Sequence, residues 1–499
     1  MRIRLAVAAA AFVSASLAAP NGSALAGGKD GAVLRPDPSR AAPAPIGFPA
    51  APYTIASKAL GEERRLLIAT PPSFAATARA YPVILVLDGE YRFPSAVSSI
   101  AFLAEAGHVP EAIVVGIENT ERERDFTPPG LEVPGMAGMD GGDRFLDFVE
   151  KELLPELARG FRASGLSILV GHSHGGVIAA YAAATRGAAF PFVLALDTPM
   201  HLDSEWLPGC LAAAAREKPS PARRLVFLEA RFGWRDAAWD AFREAAPGSW
   251  RLHREKVAKE SHETMAHVGL YLGLRQLFED YSMNGAGDET PGAALDRYER
   301  LMPLLGGAPP PKRFLLRAAG ELADLSDAAR ARRALELLDS CYGDGTAPAA
   351  LRVRVEEAEK RPPPAETVES LLAIPFPSPE EMRPFLGTWV GETWAEGEER
   401  RNSFTLVLRE AGGTVEGEVV MKPAPGTDLR MAVQCLALAE GGLHFGYRNG
   451  MNPRGILMYE GALDGDGVLS GRMRLRGIEF KWPEGMKPPR IRFAIRRDA

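Results

Sequence analysis

One stretch of this chain pairs residue types with a spacing that states a reaction: Gly171-His172-Ser173-His174-Gly175-Gly176. A serine hydroxyl is a poor nucleophile until a sharp strand-to-helix turn lifts it clear of the backbone and a histidine can take its proton. The G-x-S-x-G pattern suits that turn, because side chains at Gly171 and Gly175 would press on the neighbouring strand and helix. The turn also puts the His174 N–H at a helix N-terminus, aimed at an oxyanion as it develops. In a chain with 51 glycines the five-residue pattern recurs by chance, so its flanks must decide. Ser167-Ile168-Leu169-Val170 reads as a buried strand, and Val177-Ile178-Ala179-Ala180-Tyr181 continues as a helix.

Such a nucleophile needs a base, and eight histidines are available. His172 and His174 flank the serine and point away from its hydroxyl. His108, His201 and His253 sit at element ends, His267 falls inside an apolar helix at 265–278, and His444 belongs to a different domain. His262 remains, in Lys259-Glu260-Ser261-His262-Glu263-Thr264, on a loop that can turn inward. The acid that fixes its tautomer should follow the preceding strand. Residues 225–228 lead into Glu229-Ala230-Arg231-Phe232-Gly233-Trp234-Arg235-Asp236, where Asp236 fits a loop position and is preferred. Glu229, nearer the strand end, and Asp197, after the previous strand, stay open, as does a Ser–His dyad. Leu87-Asp88-Gly89-Glu90 ends another strand in a tight turn. The Glu90 N–H there is a candidate second oxyanion donor, against the reading of an ordinary loop.

The elements that must position these groups are short apolar runs at 83–87, 113–117, 167–170, 193–196 and 225–228, after an edge pair at 53–57 and 64–69. Helical patterns at 96–106 and 144–160 lie between them. Continuous apolar strands alternating with helices predict an α/β fold with a mostly parallel sheet covered on both faces. In such sheets ligands bind beyond the carboxyl ends of the strands, where the serine turn stands. The charged run Glu118-Asn119-Thr120-Glu121-Arg122-Glu123-Arg124-Asp125-Phe126-Thr127-Pro128 is either a solvated loop or part of the pocket rim.

Several segments in order resemble the putative-esterase family of α/β-hydrolases, which includes enterochelin-esterase-like and feruloyl-esterase-like enzymes. They are Leu87-Asp88-Gly89, residues 113–116 with Arg124-Asp125-Phe126-Thr127-Pro128, Phe145-Leu146-Asp147-Phe148 with Glu152-Leu153-Leu154-Pro155, residues 171–176, and Ser261-His262 with Gly273-Leu274 and Leu277-Phe278. The resemblance covers roughly residues 50–283. It implies Ser173 as nucleophile, His262 as base and backbone donors at Glu90 and His174. Two departures stand out: the family's glycine-plus-acid pattern is blurred around 229–236, and Asp197-Thr198-Pro199-Met200-His201 replaces a Ser-Pro-Ser with aromatics.

At the N-terminus, Arg2 and Arg4 precede an apolar, alanine-rich run from Leu5 to Ala19, short for a span, and Ala24-Leu25-Ala26 fits a small-residue cleavage site, so residues 1–26 read as an export leader. Its removal takes two positive charges and no acids, so the formal charge goes from −6 to −8. That argues against a nucleic-acid partner, and no later stretch predicts an integral membrane span. Residues 27–51 form a Pro/Ala-rich linker, 52–283 the esterase domain and 284–380 a helical spacer. Residues 383–499 alternate in about eight short runs that predict an antiparallel β-barrel or sandwich; Gly387-Thr388-Trp389 resembles the opening of lipocalin-like barrels. Such a barrel holds an apolar ligand or has a filled interior. Cys210, Cys341 and Cys435 are far apart and odd in number, so no disulfide framework is implied and metal spacing is absent, and the serine chemistry expected here calls for neither metal nor cofactor. The expectation is an exported serine esterase (periplasmic or extracellular) acting on a small-molecule ester. The alternatives are an acyltransferase on the same site, as in mycolyl-transferase relatives, and a binding protein on a hydrolase scaffold.

Overall fold

The computed structural model describes residues 48–498 apart from 133–137, 201, 203–205, 217–221, 284–288, 344, 362–367, 425–426, 440–441, 450–451 and 477–489. The expected leader and most of the linker lie outside the described residues. The chain folds as two compact units. The first ends at Leu277 and the second begins at Phe278, with Ala75–Thr77 and Glu105–Pro110 grouped with the second.

In the first unit, eight strands form one sheet: β1 (Ala50–Ser57), β2 (Glu62–Ala69), β3 (Tyr81–Val86), β4 (Ile113–Ile117), β5 (Ala163–His172), β6 (Phe192–Leu196), β7 (Arg223–Glu229) and β8 (Trp250–Lys256). Their order is β1-β2-β4-β3-β5-β6-β7-β8. The β1–β2 and β2–β4 pairs are antiparallel, and every pair from β4 through β8 is parallel. The helices are α1 (Gly89–Glu105), α2 (Arg122–Phe126), α3 (Gly142–Asp147), α4 (Leu154–Phe161), α5 (His174–Thr185), α6 (Trp206–Arg216), α7 (Asp236–Ala245) and α8 (His262–Leu277). A π-helical turn, Phe148–Leu153, joins α3 to α4.

Chain direction through the sheet explains where a site can form. From β3 the chain steps to β4 on one side, then crosses back to β5 on the other, and later strands continue that way. The switch between β3 and β5 opens a crevice at their carboxyl ends, and α1 and α5 both begin there. Val83, Ile84, Leu85, Ile168, Leu169, Val193 and Leu194 are fully buried in the strands behind it. Each such side chain contributes roughly 1.5–3 kcal/mol over exposure, against about 0–1 kcal/mol for an ion pair at the rim. The apolar sheet, not the surface charge, therefore holds the turn in place.

The second unit starts with helices α9 (Pro291–Leu301), α10 (Lys312–Asp324), α11 (Ala328–Tyr342) and α12 (Ala349–Glu359), followed by the short α13 (Val368–Leu372) and α14 (Pro379–Met382). Thr290 and Asp327 cap α9 and α11 by accepting from Ala293 N–H and Arg330 N–H. Tyr281 and Tyr342 hydroxyls donate to the carbonyls of Pro309 and Pro310, which pins the proline break between α9 and α10.

Nine strands then form a second sheet, wholly antiparallel and curled into a half-barrel: β9 (Gly387–Ala395), β10 (Arg401–Ala411), β11 (Thr414–Ala424), β12 (Thr427–Ala432), β13 (Cys435–Ala439), β14 (Gly442–Asn449), β15 (Asn452–Leu463), β16 (Val468–Arg476) and β17 (Ile491–Arg497). Their order is β12-β11-β10-β9-β17-β16-β15-β14-β13. Residues 429–437 alternate in the sequence as a single run that reads as one strand, but they are divided between two, β12 and β13, which lie at opposite edges. Val433 N–H still bonds Gly417 while Gln434 N–H bonds Gly446, so the chain changes edges between adjacent residues.

Candidate functional site

The serine turn is built by close approach. Ser173 has φ 57° and ψ −123°, a strained conformation for a residue with a side chain. Its N–H donates to the Leu196 carbonyl at 2.9 Å, and its own carbonyl accepts from Gly176 and Val177. A Cβ at Gly171 would sit 1.9 Å from the Gly175 oxygen, so only glycine closes this bend. Gly175 is different: a Cβ there would meet nothing nearer than 3.4 Å. The second steric requirement falls instead on Gly176, whose Cβ would meet Thr198 Oγ1 at 1.9 Å.

His262 opens α8, and its Nδ1 lies 2.6 Å from Asp197 Oδ2. Asp197 follows β6 directly, in the left-handed region at φ 42°, and is fully buried. Its other oxygen, Oδ1, accepts the N–H groups of Ala230, Arg231 and Phe232 at 2.7–2.8 Å. Burial pushes this carboxyl up, but those three N–H donors together with His262 outweigh burial and hold it below the usual carboxylate range. An ionised acid-side acceptor makes Nδ1 the protonated nitrogen of a neutral His262, which leaves Nε2 as the free base.

Asp236, the acid preferred from sequence, does not reach this histidine. It is exposed at the start of α7 and accepts from Arg254 at 2.8 Å. Glu229 does not reach it either: it accepts from Trp234 N–H and from Arg254 Nε and Nη2, a brace for the loop after β7. That loop supplies three N–H donors to Asp197 and no carboxylate to His262. The signal for Asp197 was a carboxylate one residue past an apolar run, at a strand end next to the serine strand.

His172, set aside by sequence as pointing away from the serine, bears on the base. Its Nε2–H donates to the His262 carbonyl at 2.7 Å, and the two rings pack 4.5 Å apart. Phe232 meets His262 edge-on from another side, at 5.1 Å. Ser173 is thus tied through Leu196 to the β6 end that carries Asp197, and His262 is tied both to Asp197 and to the residue before Ser173. The three come to one end of β5 and β6.

Burial pushes His172 down to about 4. A neutral buried histidine that must charge on acidification costs stability as pH falls: nothing is lost above about 6.5, and the loss grows between 6.5 and 4 to about 2–3 kcal/mol. Urea midpoints of the wild type should fall across that window. His172→Gln, which can still donate to the His262 carbonyl but cannot titrate, should flatten the fall, and parallel profiles for the two would refute a neutral His172.

The charged run 118–128 is not a solvated loop. Asp125, Phe126 and Thr127 are buried, and Asp125 pairs with the fully buried Arg64 and with Arg124. Arg122 reaches Asp88 through Nε at 2.6 Å and Nη2 at 3.1 Å, and Asn119 donates to Asp88 and Glu90. His174 Nε2 donates to Thr127 Oγ1 at 3.1 Å; its basicity is lowered by burial first and by Arg122 second. One segment therefore braces both turns, the one at Asp88 and the one at Ser173. Glu90 and His174 sit in the first turns of α1 and α5, where backbone N–H groups have no partner within the helix.

The remaining described histidines lie elsewhere: His253 bonds Glu255, His267 is within α8, and His108 and His444 belong to the second unit, where His108 bonds Ser282. His201 lies outside the described residues. Among the described residues no group of three or more His, Cys, Asp and Glu could hold a metal, and no helix is long and apolar enough to cross a membrane.

Residues 57–273 match the model of the family described as "Putative esterase". A siderophore triacetylfusarinine C esterase from Aspergillus fumigatus is 29% identical over 248 residues, 41% of this chain and 84% of the relative. Among solved structures, an IroE-like serine hydrolase from Shewanella oneidensis aligns over 62% of this chain and 99% of its own, at 28% identity and a TM-score of 0.48. Siderophore hydrolase EstB from Aspergillus nidulans aligns over 49% and 98%, at 20% identity and a TM-score of 0.39.

Proposed function

Because residues 57–273 belong to the "Putative esterase" family, we propose that this protein is an exported serine esterase that hydrolyses small-molecule carboxylic esters through an acyl-enzyme. The observation that carries this reading is the Asp197–His262 pair, 2.6 Å apart, held beside the strained Ser173 turn. In it, His262 Nε2 takes the Ser173 proton as the hydroxyl attacks the ester carbonyl. The Glu90 and His174 N–H groups receive the oxyanion, and the proton passes to the departing alcohol as the tetrahedral intermediate collapses. Water, deprotonated by the same nitrogen, then releases the acid and restores the serine. Asp197 stays ionised throughout and stabilises the imidazolium.

The siderophore esterase among the relatives makes siderophore esters the first substrate class to try. Residues 1–26 are the proposed export leader. With siderophore, aryl and acyl esters in ¹⁸O-water, the expected result is one labelled oxygen in the released acid, preceded by a burst of alcohol equal to the enzyme concentration when the ester is activated. No turnover and no burst with any ester would overturn the reading in favour of a binding protein. Product moving from the acid to a new ester when alcohols are added would reassign the protein as an acyltransferase.

A further inference from the structure

The half-barrel of the second unit has an inner face that its register defines strand by strand. Trp389, Gly391, Thr393 and Ala395 of β9 face inward beside Asn402, Phe404 and Leu406 of β10. The same face continues through Met421, Met431, Tyr447, Leu457, Tyr459, Met473, Ile491 and Phe493. Half of this interior is filled. Phe404, Phe445, Tyr459 and Phe493 pack ring on ring with centroids 5.0–6.3 Å apart, and Trp389, Leu406, Leu443 and Ile495 close that end.

The other half is a cavity of about 790 Å³, within the range of about 300–1,000 Å³ that pockets for drug-sized ligands occupy. Its wall is thioether and aliphatic, chiefly Met421, Met431, Met473, Leu457 and Ile491. Unbranched thioether side chains have several rotatable bonds and fill irregular space, so such a wall can repack around a flexible partner. Leu429 at the edge is nearly half exposed among the described residues. The mouth carries both signs of charge, Arg400 and Arg430 with Glu398, and Arg430 is already paired with Glu418, so a single-sign ligand is not selected.

Where the filled half meets the cavity, phenylalanine gives way to tyrosine. The hydroxyls of Tyr447 and Tyr459 are 3.1 Å apart, and among the described residues Tyr447 donates onward to Met421 Sδ at 3.2 Å, which Tyr459 also approaches at 4.0 Å. Two buried phenols thus share a chain of hydrogen bonds that ends on sulfur, a weak acceptor. Burial raises the pKa of both phenols, so they remain neutral donors. A filled core would be served by phenylalanine; a donor that ends on a thioether at a cavity wall is served by an oxygen arriving from the cavity.

We propose that this cavity binds a flexible long-chain acyl compound, its alkyl chain against the Met421, Met431 and Met473 wall and its carbonyl oxygen accepting from the Tyr447 hydroxyl. The site is independent of the serine chemistry. It is tested with the full chain carrying Ser173→Ala, so that no probe is hydrolysed, by titrating methyl dodecanoate and methyl hexadecanoate in a calorimeter. The expected result is binding at one site per chain with a negative heat-capacity change, tighter for the longer chain. Tyr447→Phe should weaken it about fivefold, the size of one net hydrogen bond, and Met473→Glu should abolish it, with far-UV dichroism and Tm reporting that each variant is folded. Absence of saturable binding would overturn the proposal. So would binding unchanged in Tyr447→Phe and in folded Met473→Glu, which would place the chain elsewhere. Ester turnover by the wild type bears on the serine site alone, so the two readings can fail separately.

Discussion

Replacing Asp197 with asparagine lowers kcat for ester hydrolysis by about 10³- to 10⁴-fold, while Asp236→Asn leaves it within about twofold. The three backbone donors on Oδ1 make the first number larger than simple loss of charge would. Ala230, Arg231 and Phe232 all present N–H groups to that one atom, so the amide of an asparagine must keep its oxygen there and turn its NH2 toward His262. His262 Nδ1, now facing a donor, has to accept, which puts its proton on Nε2. A histidine protonated on Nε2 cannot take the Ser173 proton. The variant therefore holds its geometry and loses the tautomer. Asp236 is 91% exposed on its side chain and touches only Arg254 among these groups, so its loss changes no bond to the site. Steady-state kinetics of the two variants on one activated ester separates the readings. A comparable fall in Asp236→Asn would return the acid to α7.

Why the acid was not legible while the sheet was comes down to where each signal resides. Strands β3 to β7 are apolar almost throughout because both faces are covered, and continuous runs such as Val83-Ile84-Leu85-Val86 announce that in one dimension. Strand β8, Trp250-Arg251-Leu252-His253-Arg254-Glu255-Lys256, is an edge with one neighbour and a largely exposed face, so its composition resembles a loop. The serine turn was legible because its sterics are local: Gly171 must clear an oxygen four residues away. Asp197 and His262 are 65 positions apart, and their pairing is a property of strand order. So is the contact of His172 with His262, 90 positions apart. A run of alternating residues likewise fixed that 429–437 is extended, but not that it changes edges at Val433 and Gln434, which depends on how far the sheet has curled.

Ser173 carries the second large effect, and two substitutions there should agree in activity and disagree in stability. Ser173→Ala and Ser173→Gly both remove the proposed nucleophile and should lower kcat by about 10⁵- to 10⁶-fold, with labelling by a fluorophosphonate lost in each. Holding a side-chain-bearing residue at φ 57°, ψ −123° costs on the order of 1–3 kcal/mol. Alanine keeps that cost, since its Cβ stands where the serine Cβ stood, and its unfolding should match the wild type. Glycine relieves it and gives back about 0.5–1 kcal/mol through the freer unfolded chain, for a net gain of about 1 kcal/mol. In a unit of this size that gain raises Tm by about 2–4 °C. Calorimetry on both variants reads the difference directly. A glycine variant no more stable than the alanine one would mean the bend is relaxed. A strained bend that glycine relieves is the mark of a residue kept for its hydroxyl, because the neighbouring contacts from Leu196, Gly176 and Val177 use only its backbone.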